Sequence, residues 1–159
     1  MLRRGPGAHK MAAMAFWLLK TEPGDYGWDD LVRDGTTAWT GVSNAQAQAN
    51  LRAMRRGDQV IVYHSGEKRA VGVGEIVRTA YPDPAAEGRV AVDVRAVEPL
   101  PAPVPLDALK EEPAFEGSAL LRQGRLSVVP LAPAEWRGLA AIAEVIARTT
   151  GLAPAGPGP

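Results

Sequence analysis

A chain of 159 residues with 46% apolar content suits one domain with a buried core. Eighteen basic residues balance eighteen acidic ones, which excludes a uniformly basic nucleic-acid coat and makes any contact with a polyanion local. The lack of cysteine excludes disulfides, thiolate nucleophiles, zinc–cysteine sites and iron–sulfur clusters, and with only His9 and His64 no histidine-built metal site is expected.

The opening "MLRRGPGAHKMAAM" carries charges without an apolar centre, so it does not read as a secretory signal. Residues 1–14 are expected to be a disordered extension, with Met14 as a natural start. "FWLLK" (16–20) predicts a strand, and "TEPGDYG" a turn. "WDDLVRDG" predicts one or two helical turns that end at Gly35. The clearest helix spans Asn44 to Arg56, capped by Ser43 or Asn44 and stopped by Gly57. Ala47, Leu51 and Met54 form its core stripe. Asn44, Gln48, Arg52 and Arg55 form a polar face, which faces either solvent or a phosphate-bearing partner.

Strands follow at "DQVIVYHS" (58–65), "AVGVGEIVRTAY" (70–81) and "RVAVDVRAVEPL" (89–100). In the second, Gly72 and Gly74 share a face with Ala70 and Ile76, as a bending barrel strand or a close backbone approach requires. In the third, Val90, Val92 and Val94 point inward and Asp93 and Arg95 outward. "PAPVPLDALKEEPAFEG" reads as a proline-rich connection with one short helix at Leu106–Lys110. "RLSVVPL" (125–131) predicts the last strand. Pro133 opens a closing helix with a stripe of Trp136, Leu139, Ala140, Ala143 and Ile146. The ordered domain is expected over 15–149, with residues 150–159 as a flexible Pro/Gly tail. The fold class is α+β: a small mixed β-barrel of about five to six strands with peripheral helices.

No apolar run reaches bilayer length, and a monomeric cytoplasmic protein is expected. The Ala, Pro, Gly and Arg usage points to a GC-rich bacterial genome. Charge is uneven, with six basic and three acidic residues from Ser43 to Ala80, and three against eight from Tyr81 to Ala119. Either a one-sided anion-binding face or ordinary solvated surface accounts for that.

Catalytic patterns are weak. His64 and Ser65 are strand neighbours that point to opposite faces, so they form no couple. Gly72 and Gly74 lack the third glycine and the helix that a dinucleotide loop needs. The aromatics are more telling. Trp136 falls on a core stripe, whereas Trp39 sits among small polar residues before a helix. Such an indole either stacks on a planar ring whose edge the polar neighbours read, or is a half-buried loop tryptophan.

Four blocks then stand out: "FWLLKTEPGDYGWDDL", "WTGVSNAQAQANLRAMRRGDQVIVYHSG", "VGVGEIVRTAYPDP" and "LLRQGRLSVVPL". Their order and spacing closely resemble the EVE domain family, from about Phe16 to Trp136. The resemblance implies a PUA-like fold related to YTH and ASCH domains. It also implies non-catalytic recognition of a modified base, notably a modified cytosine in DNA, with RNA as a further candidate. The implied pocket takes Trp39, Val42, Ser43 and Asn44 from one block, Tyr63, His64 and Ser65 from another, and Leu126 and Ser127 from a third. Trp17, Lys20, Thr21, Glu22 and Tyr81 fall at its rim. Arg52, Arg55, Arg56, Lys68, Arg69 and Arg125 are expected to hold the nucleic-acid backbone. The chain departs from the family's W-D-G-V-R-N pattern at Thr40 and Ser43, and lacks a tryptophan often found after the position of Tyr81. No cofactor, metal or membrane partner is expected. The competing readings are an enzyme acting on a base or nucleotide through His64 or Glu22, and a peptide-binding module.

Overall fold

The computed structural model describes residues 14–151; the expected extension 1–14, except Met14, and the expected tail 150–159, except the helical Thr150 and its cap Gly151, lie outside the described residues. Six strands form one sheet: β1 (Phe16–Thr21), β2 (Thr36–Trp39), β3 (Gln59–His64), β4 (Arg69–Pro82), β5 (Val90–Pro105) and β6 (Val128–Leu131). Their order is β2-β5-β4-β3-β1-β6. β1 and β3 run parallel, and every other neighbouring pair is antiparallel. Around the sheet lie α1 (Pro23–Tyr26), α2 (Trp28–Asp34), α3 (Ala45–Ala53), α4 (Leu106–Lys110), α5 (Ala119–Arg122) and α6 (Pro133–Thr150).

The mixed α+β architecture and the six strands agree with the sequence reading, but the sheet does not close into a barrel. β2 and β6 remain its two edges. Helix α3 packs against β4, β5 and β6 in the place a closing strand would take. The reason is the carboxamide of Gln48. Its Nε2 donates to the Val90 carbonyl at 3.1 Å, and its Oε1 accepts from the Val90 amide at 2.9 Å. A side-chain amide thus pairs with β5 as a neighbouring peptide group would. The same Nε2 donates to the Val42 carbonyl at 2.8 Å. On the other side, Asn50 Nδ2 donates to the Val128 carbonyl of β6 at 2.8 Å. The expected polar face of this helix is therefore partly interior: Gln48 is buried, while Arg52 and Arg55 are exposed.

Other boundaries moved for local reasons. β2 was hidden by its four-residue length, and it pairs Trp39 with Val92 of β5. Helix α3 stops at Ala53, because Met54 is already extended; Gly57 lies in the following turn with φ +95° and donates to the Ile76 carbonyl. β5 runs on through the proline-rich segment, burying Leu100, Ala102 and Val104 while the prolines alternate with them. β6 is shorter than expected, beginning only at Val128.

The core contains Leu18, Leu31, Ile61, Ile76 and Val92, all buried. Against it lie Leu139 and Ala143 of α6, whose Trp136 ring meets Phe16 at 4.7 Å. Gly72 has a packing role. A Cβ there would stand 2.5 Å from the Trp28 indole, so the missing side chain makes room for that ring.

Two substitutions test these packing arguments. Gly72→Ala is expected to destabilise the domain by about 1–3 kcal/mol through overpacking. Gln48→Leu, which strands the Val90 and Val42 groups, is expected to cost on the order of 3 kcal/mol. Urea denaturation measures both.

Candidate functional site

The loop after β2 is built by three anchors. If β2 continued its register with β5, Gly41 would stand beside Val90, but Gln48 already holds Val90. The chain therefore leaves the sheet. Gly41 takes φ +77°, and its amide donates to Asp83 Oδ2 at 2.9 Å. Asp83 is buried and also accepts the Ala85 amide at 2.8 Å. Those two backbone donors, Gly41 first, hold its carboxyl below the usual aspartate range. The second anchor is the Val42 carbonyl on Gln48. The third is Asn44, whose Oδ1 caps α3 by accepting the Ala47 amide at 2.9 Å.

The loop forms one wall of a cavity of about 520 Å³. Lys20 and Thr21, at the end of β1, form a second wall with Arg125 and Ser127. Tyr26 and Thr37 complete it. Trp39 is 8% exposed, and the Tyr26 ring stands edge-on to it, 6.5 Å away at 89°. Tyr26 is itself held by its hydroxyl on Asp34 Oδ2 at 2.8 Å and by Thr21 Oγ1, which donates to its carbonyl at 2.6 Å.

The polar lining is directional. Asn44 has turned its oxygen to the helix cap, which fixes the amide's orientation and leaves its NH₂ as the donor for a guest. Thr21 has committed its proton, so its oxygen is left as an acceptor. Lys20 Nζ donates to the Gly124 carbonyl at 2.8 Å. Burial lowers the pKa of this ammonium from the ordinary lysine value. Among the described residues, neither Lys20 nor Arg125 pairs with a carboxylate. Among the described residues, no carboxylate or imidazole lines the cavity.

Of the residues expected in the pocket, Trp39, Val42, Ser43, Asn44 and Ser127 meet here, joined by Lys20, Thr21 and Arg125. The others lie elsewhere. Tyr63 and Ser65 line a separate hollow of about 130 Å³. His64 is structural. Its Nε2 accepts the Trp28 amide at 3.0 Å, so Nδ1 carries the proton and donates to Glu67 at 2.8 Å. Leu126 is core. Trp17 is buried on Asp58, its Nε1 donating at 2.9 Å. Glu22 packs on Gly66, where a Cβ would stand 2.6 Å from its carboxylate. Tyr81 donates to Asp93 and lies beneath the Arg78 guanidinium, 3.7 Å from the ring centroid.

The expected backbone-binding cations are scattered. Arg125 lines the cavity, and Lys68 lines the smaller hollow. Arg69 pairs with Glu67 at 3.0 Å. Arg52 points its guanidinium at the Gly88 carbonyl, 3.4 Å away. Arg55 and Arg56 lie at the Ala15 end of β1, where Asp58 accepts both the Ala15 and Arg55 amides. A strand rise of about 3.3 Å per residue puts them roughly 16 Å from the Lys20 end. Tyr26, Thr37 and Asp83 were missed. Asp83 had a legible signal, since "DPAA" suits an aspartate that accepts the amide two residues on.

A model of the EVE domain matches residues 15–142. The chain belongs to the EVE domain family. This EVE domain is 43% identical to a Rhodopseudomonas palustris protein solved by NMR, with a TM-score of 0.78 over 84% of this chain and 95% of that one. Human THYN1 in complex with DNA containing 5-methylcytosine is 30% identical, with a TM-score of 0.74 over 82% of this chain and 98% of that one. Chicken thymocyte nuclear protein 1 is 39% identical over 90 residues, 48% of this chain and only 37% of that protein. A Zygosaccharomyces rouxii YTH domain shares the fold alone, at 14% identity and a TM-score of 0.51 over 82% of this chain and 87% of that one. The fold is thus the PUA-like one that the motifs implied. No helix of the described residues is long and apolar enough to cross a membrane.

The Asp83 tether fixes a pH dependence. Its lowered pKa means that the tether is complete at neutral pH and is lost as the pH falls through that value. The Gly41 amide resonance is expected to be constant around neutral pH and to titrate in acid with a midpoint below the ordinary aspartate value. A midpoint at or above the ordinary aspartate value contradicts the tether.

Proposed function

We propose that this EVE domain reads a modified base of nucleic acid, with a modified cytosine in DNA as the first candidate, and releases it unchanged. The observation that carries the reading is the convergence of Trp39, Asn44, Ser43, Ser127 and Lys20 on one cavity. Its volume lies within the range of about 300–1,000 Å³ typical of small-molecule sites. The complex of human THYN1 with 5-methylcytosine DNA supports the choice of ligand class.

The physical steps follow from the lining. A base leaves its stack at a cost of a few kcal/mol, least where pairing is already weak. Stacking against the indole of Trp39 returns about 1–3 kcal/mol. Asn44 offers a donor to a carbonyl oxygen or unprotonated ring nitrogen, both present on cytosine. Thr21 offers an acceptor, and the hydroxyls of Ser43 and Ser127 rotate to either role. The reader is favoured over a base-processing enzyme because, among the described residues, no imidazole or carboxylate lines the cavity.

Fluorescence anisotropy with matched DNA and RNA oligonucleotides tests the reading. The expected outcome is tighter binding of a 5-methylcytosine strand than of its unmodified twin. Asn44→Asp keeps a good helix cap but reverses the group offered to the base, and is expected to raise Kd at least about tenfold. Trp39→Phe, which shrinks the stacking surface, is expected to raise it about fivefold. Equal binding of modified and unmodified strands, in DNA and in RNA alike, overturns the proposal.

A further inference from the structure

Beside the base cavity lies the hollow of about 130 Å³, lined by Tyr63, Ser65, Lys68 and Gly124 among others. Lys20 lines both spaces, and its bond to the Gly124 carbonyl forms the partition between them. Two lysines, Lys20 and Lys68, therefore border one hollow with Ser65, whose hydroxyl makes only a long 3.4 Å contact to the Thr21 carbonyl that a phosphate oxygen can replace. Lys68 also borders an adjoining hollow of about 310 Å³ together with Glu67, Asp107 and Lys110. Glu67 is held by His64 and Arg69, Asp107 faces Lys110 at 3.8 Å, and Glu22 packs on Gly66. None of these carboxylates lines the 130 Å³ hollow.

The backbone at Lys68 is a second, independent observation. It is the single non-glycine residue with positive φ among the described residues, at +56°. Lysine in the left-handed region is uncommon, and a position of this kind costs of the order of a kcal/mol unless something retains it. Glycine or asparagine would serve the turn better by conformation alone. Leu106 donates to the Lys68 carbonyl at 2.9 Å and fixes the residue in place. A charged residue kept at a glycine-like position, lining a hollow with a second lysine, points to a ligand for its charge.

We infer that this hollow is a phosphate seat, in which Lys20, Lys68 and Ser65 hold a nucleic-acid phosphate next to the base read in the Trp39 cavity. The inference rests on the base-reading proposal and adds a subsite to it. Its chemistry is that of compact ammonium donors on a tetrahedral anion, with a hydroxyl filling one more oxygen position. A volume of about 130 Å³ corresponds to the share of roughly four waters, enough for a phosphate group. Lys20 becomes the hinge of recognition: it borders the base on one side and the phosphate on the other. The domain thus recognises a nucleotide rather than a free base, and one of the two flanking phosphates takes precedence.

Calorimetry with 5-methyl-2′-deoxycytidine and its 5′- and 3′-monophosphates, at about 50 mM salt, tests this. One monophosphate is expected to bind about tenfold tighter than the nucleoside. In Lys68→Gly, which suits the positive φ, and in Ser65→Ala, that ratio is expected to fall towards one. A second arm does not depend on the base. Titration with inorganic phosphate up to about 20 mM is expected to move the amide resonances of Ser65, Lys68 and Gly124 in the wild type, and not in Lys68→Gly. Unmoved resonances in the wild type, or a monophosphate advantage that survives in Lys68→Gly, overturn the seat. If phosphate moves those resonances while nucleoside and nucleotides alike leave Trp39 and Asn44 unmoved, the seat stands and the base reading fails.

Discussion

One carboxamide governs the geometry of this domain. Gln48 gives the Val90 peptide both a donor and an acceptor, and it gives the Val42 carbonyl a donor. A strand in that position would have satisfied Val90 equally well, but it would have closed the sheet and left no room for a loop. By supplying the pairing from a helix, the fold frees Thr40 to Asn44 from the ladder without orphaning buried backbone groups. The cavity exists because the sheet is left open, and the sheet can be left open because a side chain behaves like main chain.

The same economy recurs in the lining. Asn44 caps the start of the helix and, in doing so, loses the freedom to flip its amide, so its capping bond decides which hydrogen-bonding edge faces the cavity. Thr21 fixes Tyr26 and is thereby left as an acceptor. Asp83, outside the cavity, sets the position of Gly41 through a backbone amide. Preorganisation of this kind lowers the ordering cost of binding, since the polar groups are already aimed before a guest arrives. The ammonium of Lys20, which meets no carboxylate among the described residues, brings positive charge to the lining.

How much of this could be read from the residues alone depended on range. The first half of β5 was legible because burial on one face imposes a period of two, and β3, buried on both faces, was legible as a short continuous apolar run. The closing helix was legible through Pro133 and its apolar stripe. The blocks around Trp39 and Ser127 marked the cavity because the family resemblance linked segments far apart in the chain. Gln48 was illegible: a polar residue on a helix face reads as solvent-facing until the backbone it pairs with is known. His64 and Trp17 were misplaced for a related reason. A histidine beside a serine and a tryptophan at a strand start have the same letters whether they serve a ligand, the Trp28 amide or the Asp58 carboxylate. The proline run was misread because β5 tolerates prolines at positions alternating with its buried residues.

The bond between Lys20 and Gly124 joins residues 104 positions apart. Wall and partition of the cavity therefore come from the first strand and from the segment just before the last strand. Contacts of such separation carry the largest loop-closure entropy and tend to form late. During synthesis, then, a growing chain displays the tryptophan loop long before it owns the opposite wall. The cavity is closed only once Arg125 and Ser127 have joined Lys20 and Thr21, so a ribosome-bound fragment holds the loop without its enclosure.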